Sequence, residues 1–257
     1  MKTKIFVALL LLTNYVLPQI GGISGSKLCV PSYDLVPKGT IEFEPALSIF
    51  RADHKFGDSG SLENLSGEDI SSDLAFRITT GITDNLELGA SFTTTMDQVF
   101  VGGKYAFPFG SNEGFAIATG FSIPAGNRFI PDSLNTRDDY YTASMGGILS
   151  VVPMNNFYVD GSVAFTRILG KSSINSILDY GVSVGYYLTE DLQPIVELSG
   201  CSAFNGKYDS GKISFNYGAT MTISEKFLIV LGSQIDLTGK NEEKGINYFS
   251  AFCITIN

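Results

Sequence analysis

Seven ionisable residues, Glu42, Glu44, Arg77, Glu87, Lys104, Asp160 and Glu197, fall at positions where an alternating backbone turns them all to one side. Unpaired burial would cost several kcal/mol for each, so Arg77 and Lys104 must either pair with some of the carboxylates or sit with them in water. Two chemistries follow. One is an ion-pair network that braces a narrow enclosure. The other is a constriction that selects cations or polar solutes, because rings of Asp and Glu do so in pores.

Acid–base catalysis would have to use His54, the single histidine, in the stretch Phe50-Arg51-Ala52-Asp53-His54-Lys55, with Asp53 or Ser59 as its partner. No other residue supports that reading, and a loop histidine beside an aspartate is ordinarily a solvated side chain. Val101-Gly102-Gly103-Lys104 lies inside a strand pattern with no helix after it, so it is not a phosphate loop. Asp53, Asp58, Glu63, Glu68 and Asp69 could bind calcium weakly or simply form an acidic, soluble loop. No cofactor or resident metal is expected, and the chain reads as a non-enzyme. Cys29, Cys201 and Cys253 lack the spacing of a metal site or a disulfide framework. A net charge of −9 with no basic patch disfavours nucleic acid as a partner.

The elements that position these groups are strands. In Ile82-Thr83-Asp84-Asn85-Leu86-Glu87-Leu88-Gly89-Ala90-Ser91-Phe92, a polar corner leads into period-two alternation, and Leu74, Phe76, Ile78 and Thr80 alternate before it. The pattern recurs after Lys38 in about twelve segments of roughly ten residues, the length of a tilted membrane-spanning strand. The segments are Thr40 to Phe50, Ser72 to Ile82, Leu86 to Thr95, Gln98 to Phe107, Phe115 to Ile123 and Tyr140 to Val151. They continue with Phe157 to Ile168, Ile177 to Tyr187, Gln193 to Phe204, Lys212 to Met221, Phe227 to Leu237 and Ile246 to Ile256.

Connections alternate between short and long. Thr83 to Asn85, Pro108 to Gly114, Val152 to Asn156, Leu188 to Leu192 and Thr222 to Lys226 are short. Arg51 to Ser71, Pro124 to Asp139, Leu169 to Ser176, Asn205 to Gly211 and Thr238 to Gly245 are longer, with Met96-Asp97 the one brief exception. A Greek-key sandwich has no reason to sort its loops this way, whereas outer-membrane barrels keep short turns on the periplasmic side and long loops outside. One strand face carries bulky residues such as Phe43, Leu47, Phe76, Val101, Phe121, Ile213 and Leu231. The other carries Ala46, Thr79, Gly89, Ser91, Ala118, Gly120, Gly181, Ser183, Ser199 and Asn216. Small, weakly polar residues suit a confined interior, which places the oily face outside. Aromatics near both strand ends are consistent with two interfacial girdles.

Met1-Lys2-Thr3-Lys4 followed by the apolar run Ile5 to Leu12 reads as a secretory signal. The expected organisation is a signal peptide over 1–26, cut somewhere between Pro18 and Ser26, a periplasmic segment over 27–38, and a barrel over 39–257. Cys29 is expected to be unlipidated, since Lys27 sits where a lipoprotein signal needs a small residue.

Thr83-Asp84-Asn85-Leu86-Glu87-Leu88 has weaker echoes at Leu188-Thr189-Glu190-Asp191-Leu192 and Ile223-Ser224-Glu225-Lys226-Phe227. With Phe121-Ser122-Ile123-Pro124-Ala125-Gly126-Asn127, these turns resemble the outer-membrane β-barrels of the transporter and MetA-pathway phenol-degradation-like family. The resemblance covers most of the chain after Lys38. It implies an all-β, antiparallel up-and-down transmembrane barrel in the outer membrane of a Gram-negative cell. Its implied partners are outer-membrane lipid, the barrel-assembly machinery and a small-molecule solute. The expected function is a passive, porin-like channel or uptake facilitator. The alternatives are a closed structural or adhesion barrel with partner-binding loops and, behind it, a rim enzyme using His54.

Overall fold

The computed structural model describes residues 20–25, 27–94, 98–110, 112–125, 140–170, 174–204 and 209–256. Period-two alternation becomes twelve strands: β1 (Ile41–Phe56), β2 (Leu62–Thr83), β3 (Leu86–Thr93), β4 (Gln98–Gly110), β5 (Glu113–Pro124), β6 (Tyr140–Met154), β7 (Phe157–Gly170), β8 (Ser176–Tyr186), β9 (Leu192–Phe204), β10 (Ser210–Ser224), β11 (Phe227–Lys240) and β12 (Glu242–Ile256). Each pairs antiparallel with its neighbours in sequence. β1 closes on β12 from Ile41↔Ile256 to Phe56↔Glu242, so the barrel leaves no open sheet edge. Met96-Asp97, the signal before residue 20 and most of the Pro124 to Asp139 and Asn205 to Gly211 connections lie outside the described residues.

The short turns gather at one end, together with the start of β1 and the finish of β12. Asn112 and Asn156 take φ of 65° in two of these turns. That left-handed conformation is one asparagine adopts readily.

Strand lengths at the opposite end correct the sequence reading. Arg51 to Ser71 and Thr238 to Gly245 are expected as loops, yet both are largely ladder. β1 and β2 continue through His54↔Asn64, Lys55↔Glu63 and Phe56↔Leu62, and β11 and β12 run to a turn at Asn241, φ 53°. The extension of β1 buries Phe50, Ala52 and Phe56, but a register shift between Ala52 and His54 breaks the period, so backbone pairing persists without the alternation that announces it. Cross-strand ion pairs support the extension, Lys55 Nζ with Glu63 Oε2 at 3.0 Å and Arg51 with Glu68.

The outer surface is apolar. Leu47, Ile78, Val101, Phe121, Val182, Leu198, Leu231 and Phe252 are all exposed, and stacked rings run across neighbouring strands at Phe43–Phe76, Phe107–Phe115 and Phe227–Phe252. A closed barrel with this exterior has no aqueous partner for it and fits a hydrocarbon layer. Among the described residues no helix is long and apolar enough to cross a membrane.

Inside, the small-residue face does not enclose an empty tube. Residues 20–25 and 27–38 turn back into the barrel from the short-turn end, where Lys38 bridges to Gly81. Ile20, Ile23, Leu28, Val30 and Val36 are buried there. Ile20 and Ile23 pack with Ala106, Ala116, Ala118 and Ile148, and Leu28 packs with Ile195, Val230 and Ala251. The stretch expected as a periplasmic segment, and the last described residues of the expected signal, thus lie within the lumen.

Candidate functional site: the occupied lumen

All seven residues picked from parity project inward, and six are at most 9 % exposed. They form two groups and two single stations. Arg77 on β2 holds Glu42 and Glu44 of β1, with Nη2 2.5 Å from Glu42 Oε1 and 2.8 Å from Glu44 Oε2. Lys104 on β4 stands opposite Glu87 on β3, 3.5 Å from Oε1. Asp160 on β7 and Glu197 on β9 lie apart from both pairs.

What brings the four stations into one site is the inner segment. Lys104 Nζ donates to the carbonyls of Ser24 at 2.9 Å and Ser32 at 3.1 Å, and also to that of Asp34. The segment folds around this ammonium, closed by Ser32 N–H donating to the Gly25 carbonyl at 2.9 Å. Glu87 accepts from Ser24 N–H (2.7 Å), Ser24 Oγ (2.5 Å) and Val36 N–H (2.8 Å). Arg77 Nη1 donates to the Ile23 carbonyl at 2.6 Å, and Thr79 Oγ1 donates to that of Gly22 at 2.7 Å.

Across the barrel, the Glu197 carboxylate accepts three successive backbone N–H groups, from Leu28 (3.2 Å), Cys29 (2.8 Å) and Val30 (3.2 Å). Asp160 takes Lys27 Nζ at 2.8 Å and the Ser150 hydroxyl at 2.5 Å, while Ser150 Oγ itself accepts Tyr33 N–H at 3.0 Å. Charge-assisted bonds of this kind are the strong ones, and they compensate the cost of burying the charges.

Shape follows the same plan. A Cβ on Gly102 would strike the Gly21 carbonyl oxygen, and one on Gly89 would strike that of Gly22. These two glycines let the segment's backbone lie directly on the wall. Burial, then the Glu197 charge, pushes the Cys29 thiol well above its ordinary range, so it stays protonated. Burial followed by the Asp34 and Glu113 carboxylates raises the Tyr33 phenol.

Metal chemistry finds one candidate among the described residues, Glu42, Glu44 and Cys253, whose ligand atoms lie within 4.8 Å of one another. The cation between the carboxylates is the Arg77 guanidinium, and Cys253 Sγ donates to Glu44 Oε2 at 2.5 Å, so the cluster is an ion pair rather than a metal cage. In the outer extension Asp58 meets Lys240 at 3.2 Å and Glu63 meets Lys55, which turns would-be calcium ligands into ion-pair partners. Hydrogen bonds from Lys240 and then Asn241 hold the Asp58 carboxyl below its ordinary range. His54 Nδ1 lies 2.6 Å from Asp53 Oδ1 at the exposed rim, and Ser59 bonds Ser61.

Sequence reasoning misses the inner segment and the outer half of the lumen. Asp236 on β11 accepts from Ser214 Oγ at 2.6 Å and from Lys212 Nζ at 3.2 Å, and Lys212 Nζ lies 5.3 Å from the centre of the buried Phe50 ring. The available signal for the segment was volume: a wall of Gly, Ala and Ser on every strand needs something to fill it.

No protein-family model matches this chain, and no curated protein matches it. Solved structures do. An outer-membrane channel from Pseudomonas putida F1 is similar over 87% of this chain and 98% of its own, with 13% identity and a TM-score of 0.71. The NanC porin is similar over 82% and 98% of the two chains, at 8% identity and TM-score 0.51. The KdgM porin, solved in complex with disordered oligogalacturonate, covers 85% and 99%, at 11% identity and TM-score 0.50. The shared property is the fold, the closed barrel of outer-membrane channels and porins.

Proposed function

We propose that this chain is an outer-membrane channel for passive passage of small solutes, closed at its periplasmic half by residues 20–38. The observation that carries the reading is the way the segment is held. Buried charges on β2, β3, β4, β7 and β9 grip it non-covalently, while only its end at Lys38 to Thr40 continues into the barrel wall. A tethered filler of this kind can leave without unfolding the barrel. Retention of residues 20–25 is part of the proposal. A signal cut after Ser24 or Ser26 would remove the Gly22, Ile23 and Ser24 groups that serve Thr79, Arg77 and Glu87. The intact mass of the mature protein tests that point directly.

The gating step is tested with a lock. Tyr33 N–H lies 3.0 Å from Ser150 Oγ, which makes Tyr33→Cys and Ser150→Cys a neighbouring pair for a disulfide, its formation checked by gel mobility before recording. In planar bilayers the oxidised pair should carry no current, and a reductant should restore it. Equal current in both redox states means that conduction does not require the segment to move.

A second reading, a closed structural barrel, draws on Phe50, Phe56 and the Lys212–Asp236 pair filling the outer half. It requires silence in every variant. No catalytic role is assigned to His54.

A further inference from the structure

The side chains that grip the inner segment grip mostly its main chain. Lys104 takes three carbonyls, Arg77 and Thr79 one each, Glu197 three N–H groups and Glu87 two. Among the described residues, only the Ser24 hydroxyl and the Lys27 ammonium contribute side-chain contacts to these four charged stations. Amide groups are common to all peptides, so this wall reads peptide geometry rather than one sequence. It also carries a division of labour: Lys104 on β4 donates to three carbonyls, and the Glu197 carboxyl oxygens on β9 accept three N–H groups. The two strands stand nearly opposite each other in the twelve-membered ring. A peptide crossing the lumen supplies acceptors to one wall and donors to the other.

From this we infer that the lumen is a binding site for short peptides that carry glycine where they meet Gly89 and Gly102, and that such peptides occupy the seat of residues 20–36 once that segment has moved aside. The inference rests on the channel reading and names its solute class. Size selection falls at Gly21 and Gly22, where a Cβ on the segment would strike the Phe100 and Ser91 side chains and the Gly89 backbone respectively. Only glycine fits at these two positions, and serine follows at Ser24, whose hydroxyl donates to Glu87. Saccharide hydroxyls can donate or accept, but they present no run of three N–H groups to one carboxylate.

The full-length chain in a planar bilayer tests this with two neutral probes of similar mass, the tetrapeptide glycine–glycine–serine–glycine blocked at both ends and a disaccharide. The peptide should interrupt the open-channel current at about a tenfold lower concentration than the sugar, the yield of one or two net hydrogen bonds. The same peptide with leucine in place of glycine should lose that advantage. Equal block by peptide and sugar, or stronger block by sugar, overturns the peptide assignment and leaves the channel standing. Absence of current under all conditions overturns the channel reading itself, and this inference with it.

Discussion

At Glu197 one carboxylate serves three consecutive N–H groups, so its removal is felt at three places in the segment. Each buried donor left without a partner costs about 1–3 kcal/mol. Glu197→Ala should therefore raise the open fraction in single-channel records at least about tenfold, with Glu197→Gln between it and the parent. Unchanged gating in both variants would show that the carboxylate does not hold the segment. A neighbouring pair of glycines separates the lumen from the outside wall. A Cβ at Gly102 meets the Gly21 backbone, whereas one at Gly103 points at the Leu88 side chain on the other face of β4. Gly102→Ala should expose residues 20–38 to protease and Gly103→Ala should not; equal cleavage of the two would contradict the close approach. These residues were legible in part. Parity alone brought Glu42, Glu44, Arg77, Glu87, Lys104, Asp160 and Glu197 to the inside. Their partners were not legible, because backbone N–H and C=O groups leave no mark in a sequence.

The strands were read from alternation, and alternation reports solvent. It identified all twelve because each has an oily face and a confined face over the height of a bilayer. It stopped at Phe50 and Ser72, although the ladder runs on to Phe56 and Leu62, because a register shift between Ala52 and His54 breaks the period on β1 and the outer part of β2 is largely exposed on both faces. The inner segment was lost for a different reason. Residues 20–25 follow an apolar run and contain small residues, so they read as the tail of a signal, and Leu28, Val30 and Val36 have no strand period. The face assignment itself is tested by charge. Leu231 is 53% exposed on the outer surface, whereas Ala118 is fully buried within. Leu231→Arg should weaken insertion into lipid vesicles by about 2–4 kcal/mol if it sits near the midplane. Ala118→Ser should fold close to normally. Normal insertion of the arginine variant would place that face in water.

For the whole molecule, the charges inside the barrel do two things at once, and the two can be separated. With the segment seated, Arg77 ties β2 to β1 through Glu42 and Glu44 and also holds the Ile23 carbonyl. With the segment displaced, the same wall presents five carboxylates, Glu42, Glu44, Glu87, Asp160 and Glu197, against Arg77 and Lys104, a field that favours cations. Arg77→Gln removes the partner of two buried carboxylates, a change worth about 3–5 kcal/mol in comparable buried pairs. The barrel should lose its resistance to heat in a gel-shift assay at a lower temperature than the parent. Its current should be larger, since the Ile23 anchor is weakened, and its reversal potential in a salt gradient should move further toward cation preference. A loss of heat resistance with no current in either protein would make the charges a brace alone and the molecule a closed barrel. A shift in selectivity with unaltered heat resistance would mean that Glu42 and Glu44 line water, contrary to their bonds with Arg77. Both shifts together are what a gated channel with this wall requires.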